Sequence, residues 1–283
     1  MGAKRSIGVG LMGLGVVGSG VARALLNKDR VLAEEIGCSL ALKKVFVRDL
    51  AKPRSVSVDS TLLTVDPHEL LAEPEIDIVI EVIGGEHPAL EYTKEALQRG
   101  KHIVTANKEV IAKHGADLLK TAEDSGVAIL YEASVGGGIP LVLPLHQGLL
   151  ANQITTMYAI INGTTNYILS RMSSEGVSFD VALKKAQELG YAEADAANDV
   201  EGTDAAYKLA ILATVAFHTI VRPQDIYRQG ISSLSEQDFR YARELGYEIK
   251  LLAIGKQGNE SVEVRVHPAF IPVEFLLAKV DGV

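Results

Sequence analysis

The stretch GLMGLGVVGSG, Gly10 to Gly20, constrains the chain more than any other, because few folds accept an apolar run, a glycine turn and a small-residue helix in that order. Gly13, Gly15 and Gly18 form G-x-G-x-x-G directly after SIGVGLMG, which reads as a strand, and open VVGSGVARALLN, which reads as a helix. In that setting bare glycines let a pyrophosphate approach backbone N–H groups at the positive end of a helix. The other reading is tight packing of helix on strand. The motif alone is weak, so its surroundings decide.

Those surroundings alternate. LALKKVFVRD, LLTVD, DIVIEVIGG, HIVTANK and VAILYEAS read as strands, and PALEYTKEALQRG and EVIAKHGADLLKTAEDSG as helices between them. The Val/Ile run of DIVIEVIGG is that of a strand covered on both faces. Pro88 near the start and Gly100 past the end of PALEYTKEALQRG follow the usual helix asymmetry. Repeated strand–helix units imply a parallel, doubly wound sheet. After Gly136, Gly137 and Gly138 the rhythm changes to helices (VALKKAQELG, TDAAYKLAILATVAF, SEQDFRYARELG) beside strands such as MYAIIN and SVEVRVHP. The expected fold class is therefore α/β: an N-terminal Rossmann-like, doubly wound parallel sheet over residues 1–135 and a second, α+β domain over residues 136–283.

Composition excludes several functions. With 47% apolar and 23% charged residues in 283 positions, the chain can bury two cores. A net charge of −8, without an extended Lys/Arg run, gives nucleic acid and anionic lipid nothing to grip. The single cysteine, Cys38, permits no internal disulfide and fits a reducing, cytoplasmic setting. Lys4 and Arg5 before an apolar run imitate a signal peptide, and Met1, Gly2 and Ser6 imitate a myristoylation site. Both are set aside because the same segment parses as strand, turn and helix. Leu209–Val221, the longest apolar run, falls short of the roughly 20 residues of a membrane span.

Two charged constellations carry chemistry. At the second strand's end stand Arg48, Asp49 and Lys52. The acid usually found about 20 residues beyond the glycines is displaced to Asp49, which requires a long tail after the first helix. Arg48 can pair with a 2′-phosphate, so both NAD and NADP are open, as is a merely solvated cluster. In EADAANDVEGTDAAYK, the carboxylates Glu193, Asp195, Asp199, Glu201 and Asp204 crowd together, their repulsion to be offset by a ligand amine, a cation or water. Ala197 interrupts any calcium-loop spacing. Asp204 and Lys208 lie i, i+4 on an otherwise apolar helix, which makes them either a buried structural pair or a lysine held in a cleft as a proton donor. No H-E-x-x-H or G-x-S-x-G occurs, and Cys38 lies away from strand ends. Hydride transfer remains.

Taken together, GLGVVGSGV, TANK (Thr105–Lys108), EASVGGGIP (Glu132–Pro140), NGTTNYIL (Asn162–Leu169) and GYAEAD followed by DVEGTDAAYK resemble the homoserine dehydrogenase family, in order and over nearly the whole chain. The resemblance implies NAD- or NADP-linked interconversion of homoserine and aspartate 4-semialdehyde, in the biosynthesis of threonine and methionine. It implies Lys208 as proton donor, oriented by Asp204, with Lys108 as a further catalytic or cofactor-contacting lysine. Glu193 and Asp199 would join them in holding the substrate, facing its amino end. Cofactor contacts are expected at Gly13, Gly15, Val16, Val17 and Gly18, and at Arg48, Ile83, Thr105 and Lys108. Glu132 and the carbonyls of Val135, Gly137 and Ile139 would hold a monovalent cation, sodium. A homodimer through the second domain's sheet is expected. NGTTNYIL is expected to be structural, at the floor of the substrate cleft; a turn plus helix cap, with Thr164 or Thr165 as the cap, is the other reading. The family pattern continues past Val283, so a shortened chain without a threonine-sensing domain is expected. Two rival functions are another amino-acid dehydrogenase on this fold and a dinucleotide-binding protein without turnover.

Overall fold

The computed structural model describes residues 6–282; Met1, Gly2, Lys4 and Arg5, weighed above as targeting signals, lie outside the described residues. The chain forms two compact units, which adjoin in sequence at Pro140 and Leu141.

The first unit runs β1 (Ser6–Met12), α1 (Val16–Asn27), α2 (Asp29–Ile36), β2 (Ser39–Phe46), β3 (Leu63–Thr64), α3 (Pro67–Ala72), β4 (Ile78–Glu81), α4 (Ala89–Gln98), β5 (His102–Thr105), α5 (Lys108–Asp124) and β6 (Ile129–Leu130). The strands pair in parallel in the order β3-β2-β1-β4-β5-β6. This is the doubly wound dinucleotide-binding order, and it reverses direction at β1, beside β4. The displaced acid of the second strand now has its reason: a separate helix, α2, stands between α1 and β2. Leu11, Leu14, Ala22, Val45 and Val47 form a buried cluster joining β1, α1 and β2. VAILYEAS contributes only the two residues of β6, because Glu132–Ser134 turn into a 3-10 helix.

The second unit runs β7 (Thr156–Ala159), α6 (Gly163–Glu175), α7 (Phe179–Glu188), α8 (Ala197–Val200), α9 (Thr203–Phe217), β8 (Tyr227–Arg228), α10 (Glu236–Glu244), β9 (Tyr247–Gln257) and β10 (Val262–Pro272). Its sheet has the order β7-β9-β10-β8 and is mixed: β9 is antiparallel to β7 and β10, and β8 is parallel to β10. This is the α+β architecture expected. Helix α9 packs against β9 and β10. It is apolar nearly all round, as a core helix must be, and Leu209, Ala210, Ile211, Leu212 and Ala213 are all buried. Leu209–Val221 thus includes the second half of a core helix, and no helix among the described residues is long and apolar enough to cross a membrane.

Candidate functional site

Three glycines shape the β1–α1 turn for three different reasons. Gly13 sits at φ 101°, where a side chain is strained. A Cβ on Gly18 would fall 2.0 Å from the carbonyl oxygen of Gly13, so only hydrogen lets α1 approach β1 this closely. At Gly15 a Cβ would meet nothing within 4 Å. Packing therefore explains Gly13 and Gly18 but not Gly15, whose missing side chain leaves an open approach to the helix. Gly15 is also the N-cap of α1 and offers no side-chain cap, so the first-turn N–H groups around Val16 and Val17 are not closed by a protein side chain there.

A cavity of about 370 Å³ opens beside this turn, lined by Gly13, Leu14 and Gly15, by Phe46 to Asp49, and by Lys52, Arg54, Val82 and Ile83. Sequence reasoning placed Gly13, Gly15, Arg48 and Ile83 there, and missed Arg54. The Arg54 guanidinium donates to the carbonyls of Leu50 (3.3 Å) and Lys52 (2.9 Å) and to that of Asp49, winding the loop around itself. Asp49 Oδ1 accepts from the Ala51 N–H at 2.8 Å, so this acid is turned partly toward its own loop.

At the carboxyl end of β4 the side chain of Glu81 is fully buried. Its two oxygens accept from the Ile83 N–H (2.9 Å) and from the Thr105 hydroxyl (2.7 Å), and the same hydroxyl accepts from the Asn107 N–H (2.9 Å). Asn107 caps α5 through the Val110 N–H (3.2 Å) and donates to the Gly85 carbonyl (2.7 Å). Thr105 is thus committed inside the protein and acts through the loop it holds. Lys108, half-buried, is the first residue of α5 on that loop. Close by in the chain, the Lys113 ammonium and the His114 ring bind Glu86 at 2.6 and 2.7 Å. These two bonds, that of Lys113 foremost, hold the Glu86 carboxyl down at about 2.

The segment EASVGGGIP carries positive φ at Gly136 (75°) and Gly137 (59°), which turns the backbone between Val135 and Ile139. Val135 is buried, whereas Gly137 and Ile139 are exposed. Glu132 opens the short 3-10 helix just before. One carboxylate and three carbonyls are an all-oxygen donor set suited to a hard cation.

In the second unit Lys208 donates to Asp204 Oδ2 at 2.7 Å and to the Ile161 carbonyl at 2.8 Å. The Asp204 side chain is 5% exposed and that of Lys208 20%, so the acid is buried and the lysine side chain is partly exposed. The crowded carboxylates are separated by neutral donors. Asp195 accepts from the Ala197 N–H (3.1 Å), Glu201 accepts from the Ser232 hydroxyl (2.7 Å), and the Asn162 amide donates to both Asp199 (2.7 Å) and Asp204 (2.8 Å). Glu193 is exposed, on a loop held by the Gln187 amide through the carbonyls of Glu193 and Ala194. Among the described residues no group of three or more Asp, Glu, His or Cys side chains is arranged to hold a metal. NGTTNYIL departs from expectation: the cap of α6 is Asn162, accepting from the Thr165 N–H at 2.8 Å, and neither threonine is the cap. An Asn followed by Gly-Thr-Thr ahead of an apolar run was the signal for it.

A doubly wound unit with an open glycine turn, the architecture of dinucleotide-binding folds, is joined in sequence to an α+β unit carrying a carboxylate-held lysine. Residues 140–283 match the family described as homoserine dehydrogenase, and residues 13–132 match the family described as homoserine dehydrogenase, NAD binding domain. A homoserine dehydrogenase of Bacillus subtilis is 43% identical over 98% of this chain and 64% of its own length. The crystal structure of a homoserine dehydrogenase from Thiobacillus denitrificans superposes with a TM-score of 0.94 at 45% identity, again over 98% of this chain and 64% of the other. A hyperthermophilic archaeal homoserine dehydrogenase in complex with NADPH aligns over 98% of this chain and 86% of its own, with a TM-score of 0.81 and 26% identity. The chain belongs to the homoserine dehydrogenase family, and its first unit is that family's NAD(P)-binding domain. It spans 64% of the length of the Bacillus subtilis relative.

Proposed function

We propose that this protein catalyses the reversible NAD(P)-linked interconversion of L-homoserine and L-aspartate 4-semialdehyde. The observation that carries this reading is Lys208, fixed by Asp204 and the Ile161 carbonyl in the first half of an apolar helix. The nicotinamide, when bound, supplies or accepts the hydride. In the reducing direction Lys208 gives a proton from Nζ to the aldehyde oxygen as that oxygen becomes an alkoxide, and Asp204 keeps the ammonium oriented; in the oxidising direction the neutral amine takes the hydroxyl proton. Asp199 and Glu193 receive the substrate's ammonium group. Lys108, at a loop fixed through Glu81, Thr105 and Asn107, is the second lysine of the reaction.

On the cofactor side, Gly13, Gly15 and Gly18 with the first-turn residues Val16 and Val17 receive the pyrophosphate, and Ile83 lines the same cavity. NADP is favoured over NAD in this reading, because Arg48, Lys52 and Arg54 line that cavity while Asp49 is turned partly into its own loop. Glu132 with the carbonyls of Val135, Gly137 and Ile139 would hold sodium and so brace the glycine-rich turn. A homodimer is part of the reading, supported by the exposed Phe270, Phe275 and Leu276 near the end of β10. So is a cytoplasmic place in threonine and methionine biosynthesis, supported by family membership and by the single free cysteine.

The test is absorbance of the reduced nicotinamide on adding homoserine with NAD or with NADP. Turnover is expected with both, faster with NADP. Lys208→Ala is expected to lower kcat by about 10³-fold with cofactor binding retained, within the range of general acid–base contributions. Unchanged turnover in that variant would point to another dehydrogenase chemistry, and cofactor binding without turnover in the parent chain to a binding protein.

A further inference from the structure

Asn162 is buried and uses all of its hydrogen-bonding capacity. Its oxygen accepts from the N–H and the hydroxyl of Thr165, at 2.8 and 2.9 Å, which closes the N-terminus of α6. Its nitrogen donates one hydrogen to Asp199 Oδ1 at 2.7 Å and the other to Asp204 Oδ2 at 2.8 Å. The reverse amide orientation would set an oxygen against two carboxylates, so the charges themselves select this one. A cap does not require it: serine or aspartate closes a helix as well as asparagine. Only asparagine among the good caps also offers two donors.

The two acids are treated differently. Asp204 shares its Oδ2 between Asn162 and the Lys208 ammonium, so a cation offsets its charge. Asp199, half-buried, has Asn162 as its side-chain partner, a neutral one. A dipole holds a carboxylate in place without neutralising it, whereas a lysine or arginine there would use up the charge. We propose that Asn162 is a positioning residue for substrate recognition: by bridging Asp199 to Asp204 it keeps Asp199 aimed as the acceptor for the ammonium group of an amino-acid substrate. This rests on the dehydrogenase reading above. Asn162 touches neither substrate nor cofactor in this scheme and acts through Asp199.

The test is a double-mutant cycle of Asn162→Ser and Asp199→Asn in the full chain, read by thermal unfolding without ligand and by steady-state kinetics with homoserine. Serine retains the cap and removes both amide donors, so Asp199 loses its side-chain partner and faces an Asp204 held by Lys208 alone. The Asn162→Ser variant is expected to lose about 3 °C or more in Tm, most of it regained when Asp199→Asn is added. Its KM for homoserine should rise about tenfold or more, with a smaller change in kcat, and in the Asp199→Asn background the same substitution should leave KM within about twofold. A helix cap alone predicts no change in KM and no coupling in Tm; either result overturns the proposal. If the parent chain turns over no homoserine, the activity reading fails while the ligand-free Tm cycle still decides the bridge. Should Asn162→Ser not fold, Asn162→Gly, which weakens a cap only slightly and adds no charge beside the two acids, carries the same cycle.

Discussion

The helices α1 and α6 begin in opposite ways. The N-terminus of α1 is capped by Gly15, which offers no side-chain acceptor and at which an added Cβ would meet nothing within 4 Å beyond its own chain neighbours. The N-terminus of α6 is closed by Asn162, whose oxygen takes the Thr165 N–H and whose nitrogen faces inward to two acids. The first is built by leaving atoms out and keeps its dipole for an anion supplied from outside. The second is built by filling every valence and uses its polar atoms to arrange the protein's own charges. In the function proposed above, one helix end would serve a cofactor's phosphates and the other the geometry of the carboxylates that hold the substrate.

The contrast can be broken most severely at Gly18. Gly18→Ala places a Cβ 2.0 Å from the Gly13 carbonyl oxygen, and a loss of about 3 kcal/mol in unfolding free energy is expected from chemical denaturation, together with loss of cofactor binding. Gly15→Ala sharpens it. With no protein atom near the new methyl group the unfolding midpoint should stay put, while affinity for the dinucleotide measured by fluorescence titration falls about 10- to 100-fold, roughly 1.4 to 2.7 kcal/mol. If both variants lost stability equally, the open end of α1 would be a packing feature only.

Arg48→Ala touches the charged rim of the same cavity and should raise KM for NADP about tenfold while leaving KM for NAD within about twofold, since only the former carries the 2′-phosphate. The smallest effect concerns acid. Glu86 is held at about 2 against an ordinary 4.5 by hydrogen bonds from Lys113 and His114. A carboxyl lowered in the folded state contributes stability that is present above the ordinary value and lost as pH falls through the folded one. Between about pH 4.5 and 2 the parent chain should therefore lose stability more steeply than Glu86→Gln. Parallel denaturation curves across that window would remove the ion cluster from the account.

Much of both units was readable because the signals are local. The helix at Val16–Asn27 and the core helix at Thr203–Phe217 begin and end where the apolar pattern does, and i, i+4 spacing alone brought Asp204 to Lys208. Strand ends were less legible: VAILYEAS yields only two strand residues, because the β6 segment stops where Tyr131 and Glu132 turn. The acidic segment was legible as a problem, five carboxylates needing compensation, and not as its solution. Its donors come from Asn162 and Ser232, far away in the chain, and from the Ala197 backbone. Arg54 and Glu81 were passed over for a similar reason, since a loop-winding guanidinium and a buried carboxylate with neutral partners leave no mark in spacing.

By itself the sequence determined where the glycine turn between the first strand and helix falls, that the sheet behind it is parallel, and which lysine stands one helical turn from an acid. These depend on periodicity and on what glycine lacks, and both act over a few neighbouring residues. Only the tertiary structure decided which acids are neutralised, which are merely held, and by what. Hydrogen-bond partners are chosen by proximity in space, and at Asn162 those partners lie 37 and 42 residues away along the chain.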